Sequence, residues 1–254
     1  MISASSSRII SRYSKNHLFP SVQPFYRRYP FNSKMSLRSA DSRGCVDLEL
    51  GFFYSRVPKA ANSTVVSTLA SLKTNSPLAA KEAKLLFTRP SDLTSREVES
   101  FDDLYKFTVV RDPYIRTLSA FLDKVERKQE AGRHKGIKRD FRGFLKWLEG
   151  GKLHSNAHWA PQSSLLLLPL EEFDFIGRVE GFPAHLQSIL GGINSKNKVP
   201  AKTDITSIFS NSTSAIDKLA KYYDAETCKL VARLYRQDFE MFGYSLENDC
   251  LEQY

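Results

Sequence analysis

The order of apolar runs predicts an α/β fold of three layers, a mainly parallel sheet flanked by helices. Two observations support it. Short β-favouring runs alternate with segments whose apolar residues recur every three or four positions. In two places the strand period gives way to the helix period across a tight connection, which suits parallel neighbours covered on both faces.

The first strand is expected at Gly51 to Val57, where Phe52, Phe53, Tyr54 and Val57 favour extended chain. From Asn62 a helix is expected, because Val65, Leu69 and Leu72 share one face and Asn62 or Ser63 can cap it. Lys106 to Arg111 reads as a second strand. Asp112-Pro113 then starts a helix carrying Ile115, Leu118, Ser119 and Leu122. Phe141 to Leu148 reads as a short helix, Phe173 to Val179 as a third strand and Phe182 to Ile193 as a helix. Cys228, Val231, Ala232, Tyr235, Phe239 and Phe242 predict one last helix with a single apolar face. The segments around 74–103 and 194–214 are polar and loop-like.

Composition narrows the class. With 254 residues, 41% of them hydrophobic and 12% aromatic, the chain has the makeup of a globular protein and length enough for a sizeable core. Lys and Arg number 37 against 28 Asp and Glu, a net charge of +9, so anionic partners are favoured without being distinguished. Residues 1–40 contain no Asp or Glu and hold Arg8, Arg12, Lys15, Arg27, Arg28, Lys34 and Arg38. They read as a basic N-terminal arm, followed by a single domain over 41–254. An organelle transit segment has the same composition, but Phe19, Phe25, Tyr26, Tyr29 and Phe31 look able to pack on the domain. No run approaches a membrane span, and a soluble cytoplasmic chain is expected, with organelle targeting as the alternative. Cys45, Cys228 and Cys250 form a sparse set without a CxxC pair, so neither a disulfide framework nor a zinc site is expected.

The chemistry is concentrated at the two strand-to-helix connections. In Arg56-Val57-Pro58-Lys59-Ala60-Ala61-Asn62-Ser63-Thr64 a loop leads into a helix N-terminus, where free N–H groups and the helix dipole favour an anion. Lys59 adds a mobile charge, Ser63 and Thr64 add hydroxyls, and Ala60 and Ala61 allow close approach to the backbone. A Walker A loop would place its Lys directly before Ser/Thr and would carry glycines, which are absent here. A capped helix behind a surface lysine would share the pattern. In Phe107-Thr108-Val109-Val110-Arg111-Asp112-Pro113, Arg111 ends a strand and Ser119 lies two turns into the next helix, so both could grip one phosphate. A simple Arg111–Asp112 pairing is the alternative.

The first loop resembles the 5′-phosphosulfate-binding loop of sulfotransferases, and the second resembles their 3′-phosphate-binding motif. His158-Trp159-Ala160-Pro161-Gln162, then Asp174 to Glu180, Tyr235 to Phe239 and Phe242-Gly243-Tyr244, are similar to the carbohydrate sulfotransferase branch that includes HNK-1, chondroitin and dermatan enzymes and bacterial relatives. Golgi members of that branch have a membrane anchor and lumenal cysteines, and the chain departs from them there.

The resemblance implies a P-loop-like nucleotide-binding core that takes 3′-phosphoadenosine 5′-phosphosulfate (PAPS), releases PAP, needs no metal and sulfates a hydroxyl, with a carbohydrate as the expected acceptor. It implies that Arg56, Pro58, Lys59, Ala60, Ala61, Asn62, Ser63 and Thr64 hold the 5′ end and that Arg111 and Ser119 hold the 3′-phosphate. Lys59 would stabilise the leaving phosphate and His158 would take the acceptor's proton, with Asp123, Glu82 and His154 as alternative bases. Arg178 and Glu180 would line the site or form an exposed pair, and Trp159 would stack on a sugar or fill core. A nucleotide-dependent kinase and a basic RNA- or polyanion-binding protein are the competing readings, although no nucleic-acid partner is expected.

Overall fold

The computed structural model describes residues 22–127, 140–197 and 215–246. Along the chain run α1 (Pro24–Arg28), α2 (Leu37–Asp41), β1 (Gly44–Asp47), β2 (Phe52–Ser55) and α3 (Asn62–Thr74). Then come α4 (Ala80–Ala83), α5 (Ser95–Glu99), β3 (Tyr105–Val110), α6 (Pro113–Phe121) and α7 (Phe141–Trp147). The rest comprises β4 (Phe175–Arg178), α8 (Ala184–Asn197), α9 (Leu219–Tyr222), α10 (Ala225–Leu234) and α11 (Arg236–Phe242).

The strands form one mixed sheet in the order β1-β2-β3-β4, with β1 antiparallel to β2 and the other neighbours parallel. The fold is therefore α/β, with helices flanking the sheet. Side chains alternate across β2: Phe52 and Tyr54 join Phe107, Val109 and the apolar faces of α3 and α8, whereas Phe53 joins Phe25, Val46 and Phe101 on the other side. A third cluster, made by α6, α7, α10 and α11 around Trp159, forms the helical flank beyond the sheet.

The N-terminal segment from α1 to β1 lies on the Phe53 face. Phe25 and Tyr26 are buried, and Phe25 meets Phe101 edge-on at 5.0 Å. Tyr26 donates to Asp41 at 2.7 Å, and Ser91 donates to the same carboxylate through its N–H and its hydroxyl. Phe19 lies outside the described residues, as do parts of the segment 194–214.

The three expected strands form, each within two residues of its expected start. β1 was not foreseen, because Gly44 and Asp47 at its ends are residue types that disfavour strand. The expected last helix is broken at Tyr235, whose φ of −114° and ψ of 20° leave the helical region. Its hydroxyl donates to the Trp159 carbonyl at 2.6 Å, and Tyr235 and Phe239 stay on one buried face across the break. Cys228 is disulfide-bonded, which corrects the expectation from three scattered cysteines, while Cys45 is free and buried. Among the described residues no helix is long and apolar enough to cross a membrane.

Candidate functional site

The connection from β2 to α3 bends sharply. Lys59 and Ala61 have φ of 70° and 48°, left-handed values that a side chain disfavours. Ala61, not Asn62 or Ser63, is the N-cap, and no side chain caps the helix. The capping expectation fails because the bend places Asn62 and Ser63 already inside α3. The first-turn N–H groups, which have no intrahelical acceptor, are left open to an anion, with the dipole's positive end behind them.

The second connection is capped in the ordinary way. The Asp112 carboxylate accepts from the Ile115 N–H at 3.0 Å and Pro113 opens α6. Burial, with some help from Glu180, pushes the Asp112 carboxyl up to about 6. Arg111 is buried, exchanges two backbone bonds with the Gln162 amide at 2.9 and 2.8 Å, and donates from its guanidinium to the Lys59 carbonyl at 3.3 Å. The two loops are thus joined directly. The Ser119 hydroxyl is buried with no hydrogen-bond partner.

Arg116, one turn into α6, is a residue to which the sequence reading assigns no role. It is 1% exposed. Its guanidinium donates to the carbonyls of Pro58 at 3.0 Å, Ala160 at 2.8 Å and Ala157 at 3.2 Å. One planar cation therefore fixes the residue before Lys59 and the residue before His158 a few ångströms apart. Asp238 lies near enough to offset part of its burial and accepts from the N–H groups of Gln162 and Ser163 at 2.7 and 2.9 Å. The available signal was a charged residue between apolar Ile115 and Leu118, which a buried helix keeps only when the charge is bonded.

His158 is half-buried beside these loops, with its Nδ1 buried and unpartnered. Burial foremost, then Lys124, Arg43, Lys59 and Arg116, push its imidazole down to about 3. Trp159 does not face a ligand. It is fully buried, donates from its indole to the Lys152 carbonyl at 3.1 Å and packs on Phe144 and Trp147. Stacking on a sugar is therefore corrected to core packing.

The other candidates separate. Lys59 Nζ pairs with Asp123 at 3.0 Å. Glu82 is exposed on α4, and His154 bonds Ser164 at 3.2 Å. Arg56 donates to the carbonyls of Arg43 and Ser42 at 3.1 and 2.5 Å, which ties the loop's entry to the N-terminal segment. Glu180 accepts from the Asp112 N–H at 2.9 Å and the Tyr244 hydroxyl at 3.0 Å, while Arg178 lies over the Tyr244 ring at 4.8 Å. These two brace the C-terminal end of β4 separately and do not pair with each other. Among the described residues no cluster of three or more His, Cys, Asp or Glu could hold a metal ion.

Arg116→Lys keeps the charge but cannot reach three carbonyls in one plane. It should cost roughly 2–4 kcal/mol of stability by denaturant titration. Unchanged stability would show that the guanidinium does not hold the loops.

No curated protein and no solved structure matched the chain. A family match does span residues 44–245, from β1 through both connections and the His158 segment to the end of the described chain. With four-fifths of its length inside that match, the chain belongs to the sulfotransferase family.

Proposed function

We propose that this chain is a PAPS-dependent sulfotransferase that acts on a hydroxyl-bearing acceptor, with a carbohydrate as the favoured class. The observation that carries the donor half is the pairing of two anion-seeking connections, joined by the Arg111 contact to the Lys59 carbonyl. The residues fit the nucleotide. Ser119 offers a buried hydroxyl without a partner, Arg111 a buried cation in the same motif, and the Lys59–Thr64 stretch open N–H groups with a lysine. The carbohydrate half rests on the likeness of the His158 segment, with Asp174 to Glu180, Tyr235 to Phe239 and Phe242 to Tyr244, to the carbohydrate branch.

Bound PAPS supplies an activated sulfuryl group whose bridging oxygen leaves with the 5′-phosphate. Lys59 and the first-turn N–H groups of α3 stabilise the charge gathering on that oxygen. Arg111 and Ser119 hold the 3′-phosphate and so fix the nucleotide's direction. His158 accepts the acceptor's proton as its oxygen bonds to sulfur. An imidazole at about 3 is neutral at physiological pH and so able to accept, but it is a weak base. Bound anionic nucleotide offsets Lys59, Lys124, Arg43 and Arg116, and this raises the imidazole towards the useful range. The disulfide at Cys228 suits an oxidising compartment better than the cytoplasm. It therefore weighs against the cytoplasmic location.

Calorimetric titration should show PAP binding that falls at least about 10-fold in both Lys59→Ala and Arg111→Ala. Tighter binding of ATP would favour a kinase, and salt-sensitive binding of an RNA oligonucleotide without PAP binding would favour a polyanion-binding protein. For the base, PAP should raise the His158 pKa seen by NMR, and His158→Ala should lower turnover about 10²- to 10⁴-fold with PAP affinity little changed. An imidazole that does not respond to PAP, or near-normal turnover in the variant, would remove His158 from the mechanism.

A further inference from the structure

Asp123 lies in a π-helical turn, Leu122–Glu126, that continues α6 beyond Ser119. Such turns re-aim side chains that a regular helix would send elsewhere. Its carboxylate gathers three cations, Arg127 at 2.8 Å, Lys59 Nζ at 3.0 Å and Lys124 at 3.5 Å. The Lys59 bond crosses between distant parts of the chain, and its two side chains are only 14% and 15% exposed. One carboxylate among three cations leaves the corner positive, so it still attracts an anion.

We propose that Asp123 is a positioning residue, an internal counter-ion that holds Lys59 in the unloaded enzyme and gives it up to the nucleotide's anionic oxygen. This rests on the reading of Lys59 as a ligand of the phosphosulfate. A carboxylate oxygen 3.0 Å from the ammonium stands where a ligand oxygen would stand relative to it. Burial lowers the Lys59 ammonium, and Lys124 and Arg127 lower it further, while Asp123 acts the other way. On exchange the carboxylate retains Arg127 and Lys124. Although burial alone would raise its carboxyl, hydrogen bonds from Arg127 and Lys59 and the nearby Lys124 hold it well below the usual carboxylate range. It is therefore a standing anion and a poor proton acceptor, which counts against Asp123 as the base.

Asp123→Asn removes the competing anion at nearly constant size. PAP binding by calorimetry at neutral pH should tighten about 5- to 10-fold. Asp123→Ser, measured in parallel, should tighten likewise, and Asp123→Glu, which keeps the charge, should stay near wild type. In a Lys59→Met background Asp123→Asn should give no gain. A structural lesion would weaken binding, so the direction of change separates the two roles. Unchanged or weaker PAP binding in folded Asn and Ser variants would overturn the counter-ion role alone, as would a gain that survives in the Lys59→Met background. Absence of PAP binding by the wild-type chain would overturn both this role and the donor assignment.

Discussion

The buried Arg116 guanidinium is the contact on which the arrangement of the site depends. Loops seldom hold fixed positions by their own conformational preferences, and those carrying Lys59 and His158 lie about a hundred residues apart in sequence. A desolvated cation with carbonyls of Pro58, Ala157 and Ala160 around it turns the cost of burial into a constraint on where those loops lie. Gln162 and Asp238 extend the constraint, the first by pairing with the Arg111 backbone and the second by holding Gln162 and Ser163. The chemistry-bearing segments are therefore fixed by polar bonds in a dry interior.

That arrangement has an electrostatic consequence. Lys59, Lys124, Arg43 and Arg116 all act on His158, and the Lys59 ammonium is itself lowered by burial. Asp123 is the carboxylate bonded to Lys59 at this corner. A corner of this kind is under-neutralised, and the proposed nucleotide, being multiply charged, would relieve the imbalance at several groups together. On the proposed function, donor binding would link the Lys59 ammonium and the His158 imidazole through one local field.

Much of this was legible in the sequence, for identifiable reasons. Phe52-Phe53-Tyr54 and Lys106 to Val110 announce strands because both faces of a parallel sheet are buried, and Asp112-Pro113 announces a helix through its own capping chemistry. The motif residues Lys59 and Arg111 were readable because their types and spacing are local. What escaped reading depends on long-range contacts. Ala61 takes the cap in a left-handed conformation that no propensity favours. Tyr235 breaks a continuous helical pattern to reach the Trp159 carbonyl. Trp159 sits beside a candidate catalytic residue yet faces the core, and Arg116 acts through carbonyls, which carry no sequence signature. The disulfide at Cys228 belongs to the same class, since spacing alone does not reveal pairing.

We propose that the Lys59–Thr64 and Arg111–Ser119 connections bind one nucleotide between them. Amide hydrogen exchange with and without PAP tests it most directly. Slowed exchange in both segments at the same PAP concentration is the predicted result. Protection confined to one segment, or protection in neither, would contradict a shared site.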